Sequence, residues 1–210
     1  MKKIILIGGG GHCKSCIEVI HSQGLYEIAG ILDGALVAGN VLGYPVIGDD
    51  DMIEALAADG HCFLITVGQI KNSGIRRKLF EKVKACYGEF AVVKASTAYV
   101  SEYASVGEGT ILMHGVFVNA GVSIGVNGII NTKALVEHDV VIGNHCHIST
   151  GSIINGDCVV EDNCFIGSGA VIRQGIVIAE KTVAGAGAVV VRNTEYEGVY
   201  AGNPAVLMNK

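Results

Sequence analysis

The chain has 210 residues, half of them apolar and 17% charged, with a net charge of −5. This composition can bury a substantial core, which excludes a disordered chain, and its excess of acid over base excludes a general nucleic-acid binder, which must neutralise phosphates. No apolar run reaches bilayer length, and the stretch Ile4 to Ile7 runs into four glycines where a signal peptide would continue, so a cytoplasmic protein with no membrane span is expected.

Residues 1–95 read as alternating strands and helices. Lys2 to Ile7 is an apolar strand, Gly8 to Gly11 a turn, and Cys13 to Gln23 has the apolar spacing of a helix closed by Gly24. Ile28 to Leu32 is a second strand ending at Asp33, and Asp50 to Ala58 a short helix with acid in its first turn. Phe63 to Val67 is a third strand, Ile75 to Ala85 a basic helix, and Phe90 to Val93 a fourth strand. Strand, crossover helix and strand make the βαβ unit of a parallel sheet, so a small Rossmann-like α/β domain is expected here.

From Val100 the pattern changes. Every sixth residue from Val100 to Ile178 is Ile, Leu or Val, fourteen times without an insertion. The position four later is mostly small: Ala104, Thr110, Ala134, Cys146, Ser152, Cys158 and Cys164 among them. This is a hexapeptide repeat, the signature of a parallel β-helix with a triangular section, three hexads or about 18 residues to a coil. The aliphatic residue fills the prism and the small one lets the chain turn. Residues 96–210 are therefore a second domain, a β-helix with a C-terminal tail. The 30 glycines, with no G-X-Y period, serve its repeated turns. The odd count of seven cysteines reads as free thiols. Cys13-Lys14-Ser15-Cys16 lacks the context of a redox or zinc motif and reads as small residues opening a helix.

The glycine-rich Gly8 to His12, Ile31-Leu32-Asp33, Val67-Gly68 with Asn72 and Arg76, Asn131 through Val136-Glu137-His138-Asp139, and the tail Ala201-Gly202-Asn203-Pro204-Ala205 together carry a resemblance. Over nearly its whole length the chain resembles the hexapeptide-repeat sugar acetyltransferases of the sialic-acid O-acetyltransferase (NeuD/PglD-like) family. Within it the nucleotide-linked 4-amino-sugar N-acetyltransferases are most similar. Relatives often carry two acidic residues where this chain has Asp33-Gly34. The resemblance implies a left-handed β-helix, acetyl-CoA as co-substrate without a metal, and a UDP- or GDP-linked 4-amino sugar as acceptor in bacterial glycan biosynthesis. It further implies acceptor contacts at Gly68, Asn72, Arg76 and Asn131, and acetyl-CoA contacts at His147, Gly156, Ser168 and Ala186.

Acetyl transfer from a thioester to an amine needs a base near neutrality, a group orienting that base, and N–H donors for the oxyanion, but no covalent enzyme intermediate. His138 beside Asp139 fits as base and orienter; Glu137 is the rival orienter, and the resemblance favours Asp139. One coil away lie Ala120 and Gly156, small enough to admit a ligand beside the imidazole. A zinc site from His138, His145 and His147 lacks ligand-like helix spacing, so no metal is expected.

Gly8, Gly10 and Gly11, with His12, follow a strand and open a helix, where backbone N–H groups cradle phosphate. Cys13 stands where a dinucleotide fingerprint needs glycine, which disfavours NAD and leaves a nucleotide sugar, with Asp33 placed for a ribose hydroxyl. The run Arg76-Arg77-Lys78 reads as a solvated helix face, from which the resemblance brings Arg76 toward a phosphate. Residues preceding the inward register, such as Ile111, Phe117, Ile129, Leu135 and Val141, should largely face outward. An apolar stripe on a three-sided prism suits a homotrimer with active sites at its interfaces. The competing readings are O-acetylation of sialic acid or another small hydroxyl acceptor, and a scaffold with no catalysis.

Overall fold

The structure is a computed structural model that describes residues 1–36, 38–70 and 73–208. The N-terminal domain runs β1 (Lys2–Ile7), α1 (Gly11–Gln23), β2 (Tyr26–Leu32), β3 (Asn40–Val41), β4 (Tyr44–Gly48), α2 (Ile53–Ala58), β5 (Cys62–Ile65), α3 (Gly74–Ala85) and β6 (Glu89–Phe90). Its sheet has the order β3-β4-β2-β1-β5-β6, parallel except for the β3–β4 hairpin. Ile4, Ile5 and Leu6 of β1 are fully buried, the continuous apolar run of a strand covered on both faces. The chain leaves β1 for β2 on one side and returns to β5 on the other, so a crevice opens at the carboxyl ends of these strands.

Three details depart from the sequence reading. The β3–β4 hairpin was not expected; Leu42 and Gly43 form its turn at φ +49° and +90°, and Asn40 Oδ1 accepts from the Gly43 N–H at 2.7 Å. The Asp50 to Ala58 helix starts as a 3-10 turn, Asp50–Met52, before α2. The fourth strand is two pieces: β6 closes the first sheet, and Val93–Lys94 already belongs to the β-helix.

The second domain is the left-handed parallel β-helix, built from three sheets of two-residue strands. Equivalent strands pair in parallel one coil apart, as Leu112 with Ile130, Val136 with Ile154 and Ile142 with Val160, a constant step of 18 residues. The first face holds Ile111–Leu112, Ile129–Ile130, His147–Ile148, Phe165–Ile166 and Val183–Ala184. The second holds Phe117–Val118, Leu135–Val136, Ile153–Ile154 and Val171–Ile172, and the third Ser123–Ile124, Val141–Ile142, Val159–Val160 and Val177–Ile178. From Leu112 onward the sixfold aliphatic register is buried; Val100 and Val106, in the first coil, are half-buried. Cys146, Cys158 and Cys164 are buried free thiols in the small slot, donating to backbone carbonyls, and Cys13 and Cys16 are buried in α1.

A second sixfold register sets the corners. Every sixth residue from Gly109 to Gly187 has positive φ, and half of these fourteen positions are not glycine: Asn127, Lys133, Asp139, His145, Asp157, Asn163 and Lys181. Asn and Asp tolerate the left-handed region better than most residues. These slots can therefore carry side chains that glycine could not.

The outward positions divide by face. On the second face Phe117 is exposed and stacks on Tyr99 at 4.7 Å, with Leu135, Ile153 and Val171 half-buried above it. On the first face Ile111 and Ile129 are fully buried instead of outward-facing, because the N-terminal domain covers this side and joins it in one core.

Candidate active site

The crevice at the ends of β1, β2 and β5 is a cleft of about 560 Å³ lined by Gly8, Gly10, Gly11, His12, Asp33, Thr66 to Ile70, and His147. Gly8 is required by packing: at φ +107°, a Cβ there would lie 2.5 Å from Val67 Cγ2. Gly10 and Gly11 are different, since a Cβ on either would meet nothing within 4 Å. Their bare backbone leaves the N-terminus of the 13-residue α1 open, with Gly10 as an N-cap that has no side chain to occupy it. Asp33 organises the turn: its carboxylate accepts from the Gly9 N–H at 2.7 Å and the Ala35 N–H at 2.9 Å. Gly9 was not among the candidates, yet it is the glycine that Asp33 holds.

His147 enters the cleft from the β-helix. Its Nδ1–H donates to the Gln69 carbonyl at 2.6 Å, which leaves Nε2 to accept from Asn131 Nδ2 at 3.0 Å. The Thr132 N–H donates to Asn131 Oδ1, so the amide is fixed both ways and keeps one N–H to spare. Burial, less the hydrogen bond to Gln69, brings the His147 pKa down to about 4. His12 beside it is also brought to about 4, by burial first and then by the charge of Arg76, and its Nε2 is buried without a partner. Both imidazoles are neutral at physiological pH, so neither supplies a cation to the cleft.

The second site is a smaller cleft of about 200 Å³ lined by Glu137, His138, Asn155, Gly156, Asp157 and Gln174. It lies on the corner between the second and third faces. Asp139 occupies a left-handed slot at φ +59°, which turns its carboxylate back onto His138 Nδ1 at 3.0 Å. The coil below makes room, because a Cβ on Gly121 would lie 2.2 Å from Asp139 Oδ1. The coil above does the same for the imidazole: a Cβ on Gly156 would sit 2.7 Å from His138 Nε2. His138 and Asp139 are both exposed. The hydrogen bond to Asp139 raises the His138 pKa, with further help from the charges of Asp139, Asp157 and Glu137. Glu137 is held elsewhere, accepting from Asn119 Nδ2 at 3.0 Å, so among the described residues Asp139 is the carboxylate that bonds the ring. The result is a basic imidazole with Nδ1 oriented and Nε2 free to take a proton.

Known proteins match these two parts separately and together. The PglD N-terminal domain matches residues 3–83, and the bacterial transferase hexapeptide of six repeats matches residues 139–174. The acetyltransferase domain of PglB from Neisseria gonorrhoeae FA1090 is 34% identical at a TM-score of 0.93, over 99% of this chain and 100% of that one. The chain belongs to this family of PglD-type sugar acetyltransferases. PerB from Caulobacter crescentus, solved with CoA and GDP-perosamine, is 34% identical at a TM-score of 0.92, over 100% of this chain and 98% of that one. UDP-N-acetylbacillosamine N-acetyltransferase of Bacillus subtilis is 30% identical over 115 residues, 54% of this chain and 52% of that protein. The alignment thus spans about half the length of this curated relative.

Within the PglD-type fold, the candidate residues separate onto different edges. Asn131, Ser168 and Ala186 follow strands of the first face and lie along the corner leading to the second; His138 and Gly156 lie on the next corner. The two clefts share no lining residue. His147, read as an acetyl-CoA contact, sits in the glycine-turn cleft and not beside His138. The zinc alternative fails for the same reason, since His145 and His147 are engaged at the domain junction. Among the described residues, the group whose ligand atoms come within 4.8 Å of one another is His138, Asp139 and Asp157, the exposed set that makes His138 basic.

Arg76 also moves. It is not on a solvated face but 1% exposed, and all four N–H bonds of its two terminal nitrogens are spent within the protein. Its Nε is buried without a partner, and Arg76 is not among the residues that line the cleft. Asn72 lies outside the described residues. Sequence reading missed Gln69, which carries no motif of its own, and Asp157, which sits one coil beyond Asp139 in the same left-handed column.

Proposed function

We propose that this chain transfers the acetyl group of acetyl-CoA to the amino group of a UDP- or GDP-linked 4-amino sugar, in the cytoplasm, as a homotrimer. The observation that carries this reading is the pairing of an uncapped helix N-terminus in an open cleft with an exposed, basic His138–Asp139 pair. The open amides of α1 suit a diphosphate, whose charge the N-terminal end of a helix favours. The N-terminal domain is thus the nucleotide-sugar half and the β-helix the acetyl-CoA half. NAD is not called for by these residues. A bound acetyl-CoA supplies the thioester; the chain's own groups do the rest. His138 Nε2 takes the proton as the amine nitrogen attacks the carbonyl carbon. The N–H of Gly156, which lines the same cleft beside the imidazole, serves as oxyanion donor, and the proton on His138 passes to the departing thiolate as the C–S bond breaks.

The homotrimer is supported by the split between the two clefts. The apolar second face runs between the corner of Asn131, Ser168 and Ala186 and the corner of His138 and Gly156. Packing three prisms around a threefold axis buries that stripe and brings one corner of each chain against the other corner of its neighbour. The decisive experiment is steady-state turnover with acetyl-CoA and a panel of UDP- and GDP-linked amino sugars, reading free thiol and product mass. An acetamido product from one of them is expected. Acetylation of a sugar hydroxyl with no reaction at any amine, or no acetyl transfer at all, would overturn the reading.

A further inference from the structure

The corner between the third and first faces docks the N-terminal domain, and four of its left-handed positions hold residues other than glycine: Asn127, His145, Asn163 and Lys181. Asn127, His145 and Asn163 follow one another at intervals of one coil, with φ between +54° and +63°. Each bonds across the junction. Asn127 meets Arg76, the Gln69 side chain donates to the His145 carbonyl at 3.0 Å, and the Ser73 hydroxyl donates to Asn163. Positions where glycine would be easiest for the backbone are thus occupied by residues that grip the segment after β5.

Arg76 is the centre of this grip. Its Nη1 donates to the carbonyls of Ile65 at 2.7 Å and Val67 at 2.8 Å, which flank Thr66. Its Nη2 donates to Asn127 O at 3.1 Å and Asn127 Oδ1 at 2.7 Å. Thr66 in turn hydrogen-bonds the Gly8 carbonyl at 2.6 Å, so the grip reaches the glycine turn as well. Burial lowers the arginine's pKa to about 10, which still leaves it charged at neutral pH. Among the described residues no carboxylate pairs with it, so four oxygen dipoles balance the charge. A guanidinium fork satisfies four oxygens in fixed directions; an ammonium does not.

We propose that Arg76 is a positioning residue: anchored to Asn127 of the β-helix, it fixes the Thr66–Gln69 wall of the glycine-turn cleft and so sets affinity for the nucleotide sugar without touching it. The affinity half of this proposal rests on reading that cleft as the nucleotide-sugar site; the ordering of the wall does not.

Asn127→Gly is the gentlest test, because glycine keeps the left-handed backbone and the main-chain carbonyl while removing the side chain, both its Oδ1 acceptor for Arg76 and its Nδ2 bonds to the Arg76 carbonyl and His145. In the ligand-free protein, hydrogen exchange at the amides of Thr66 to Gln69 should quicken about tenfold, with Phe63 and Leu64 unchanged. Titrated calorimetrically, whichever of UDP or GDP the wild type binds should bind about tenfold more weakly, with acetyl-CoA within twofold. The KM for the nucleotide sugar should rise by the same factor while kcat moves less than threefold. Arg76→Lys, which keeps the charge but not the fork, should fall between wild type and Arg76→Met. Unchanged wall exchange in Asn127→Gly overturns the proposal. So does an equal fall in both ligand affinities together with Tm, which marks a merely structural bond, or a quickened wall with unchanged nucleotide affinity. If the wild type binds neither UDP nor GDP, the nucleotide reading fails, and the exchange measurement still decides the grip.

Discussion

The two clefts hold histidines in opposite conditions. In the glycine-turn cleft, His12 and His147 are largely shielded from solvent and pushed to a pKa of about 4, so both stay neutral. On the far corner His138 is exposed, bonded to Asp139 and made more basic than an ordinary histidine. Low-dielectric surroundings disfavour the charged imidazole in one place, and neighbouring carboxylates favour it in the other. The difference teaches which side binds and which side moves a proton. Neither cleft has both properties, and the proposed homotrimer is what would bring them together.

The sharpest way to break this division is His138→Ala. It should lower kcat by about 10²–10⁴, the usual worth of a general base, with Tm almost unmoved because the side chain is exposed. A variant keeping more than about a tenth of the wild-type rate would remove the base from this corner.

Asp139→Gly keeps the left-handed corner while deleting the carboxylate. His138 must be neutral to accept a proton, so wild-type kcat/KM should rise with pH through a pKa above the ordinary histidine value. Losing Asp139 removes the main cause of that elevation, so the acid limb should move to lower pH, with a plateau about tenfold lower. A pH profile with an unmoved limb would show that Asp139 does not orient the base.

Asp33→Ala tests the other cleft. Without the carboxylate, the Gly9 and Ala35 N–H groups lose their acceptor and the turn loosens. Nucleotide affinity should weaken about tenfold, the loss of one or two charge-assisted hydrogen bonds, while acetyl-CoA affinity holds. Calorimetry with each ligand separates the outcomes, and an equal loss for both would erase the distinction between the two sides.

A smaller effect should appear in stability. The His12 and His147 pKa values in the fold, about 4, lie below the unfolded value near 6.5. Between these values the unfolded chain binds protons that the folded one refuses, so stability should fall as pH drops from about 6.5 to 4. Denaturant titrations across that range should show the loss, and His147→Gln should shallow it; a flat profile would mean the pair is not buried neutral.

Much of the fold could be read because one residue class recurs at one period. The inward register from Leu112 to Ile178 is legible for that reason. The corner register is not, since Asn, Asp, His and Lys share it with glycine and only the backbone reveals them. The glycine turn and a histidine flanked by carboxylates were legible from local chemistry, whereas the choice of Asp139 over Glu137 came from the family resemblance. Arg76 was misread although a signal existed: with Leu79 and Val83 it occupies positions i, i+3 and i+7 of α3, the buried face. The basic neighbours Arg77 and Lys78 masked that spacing. The burial of His147 was not legible, because its outward position lies on the first face, where docking of the N-terminal domain, a long-range event, turns outside into inside. The β3–β4 hairpin escaped notice because β3 is only two residues long and Pro45 interrupts the strand pattern of β4.

The central claim is that one chain's glycine-turn cleft works with its neighbour's His138, and mixing two inactive variants tests it most directly. His138→Ala chains keep the cleft and lack the base. Gly11→Trp chains keep the base and fill the cleft, at a position where a side chain meets nothing within 4 Å. After denaturation, mixing in equal amounts and refolding, random trimers should place an intact cleft against an intact base at about a quarter of interfaces and recover about a quarter of wild-type activity per site. Activity that stays absent, in mixtures shown by mass to contain both chains in one particle, would mean that each chain carries its own complete site.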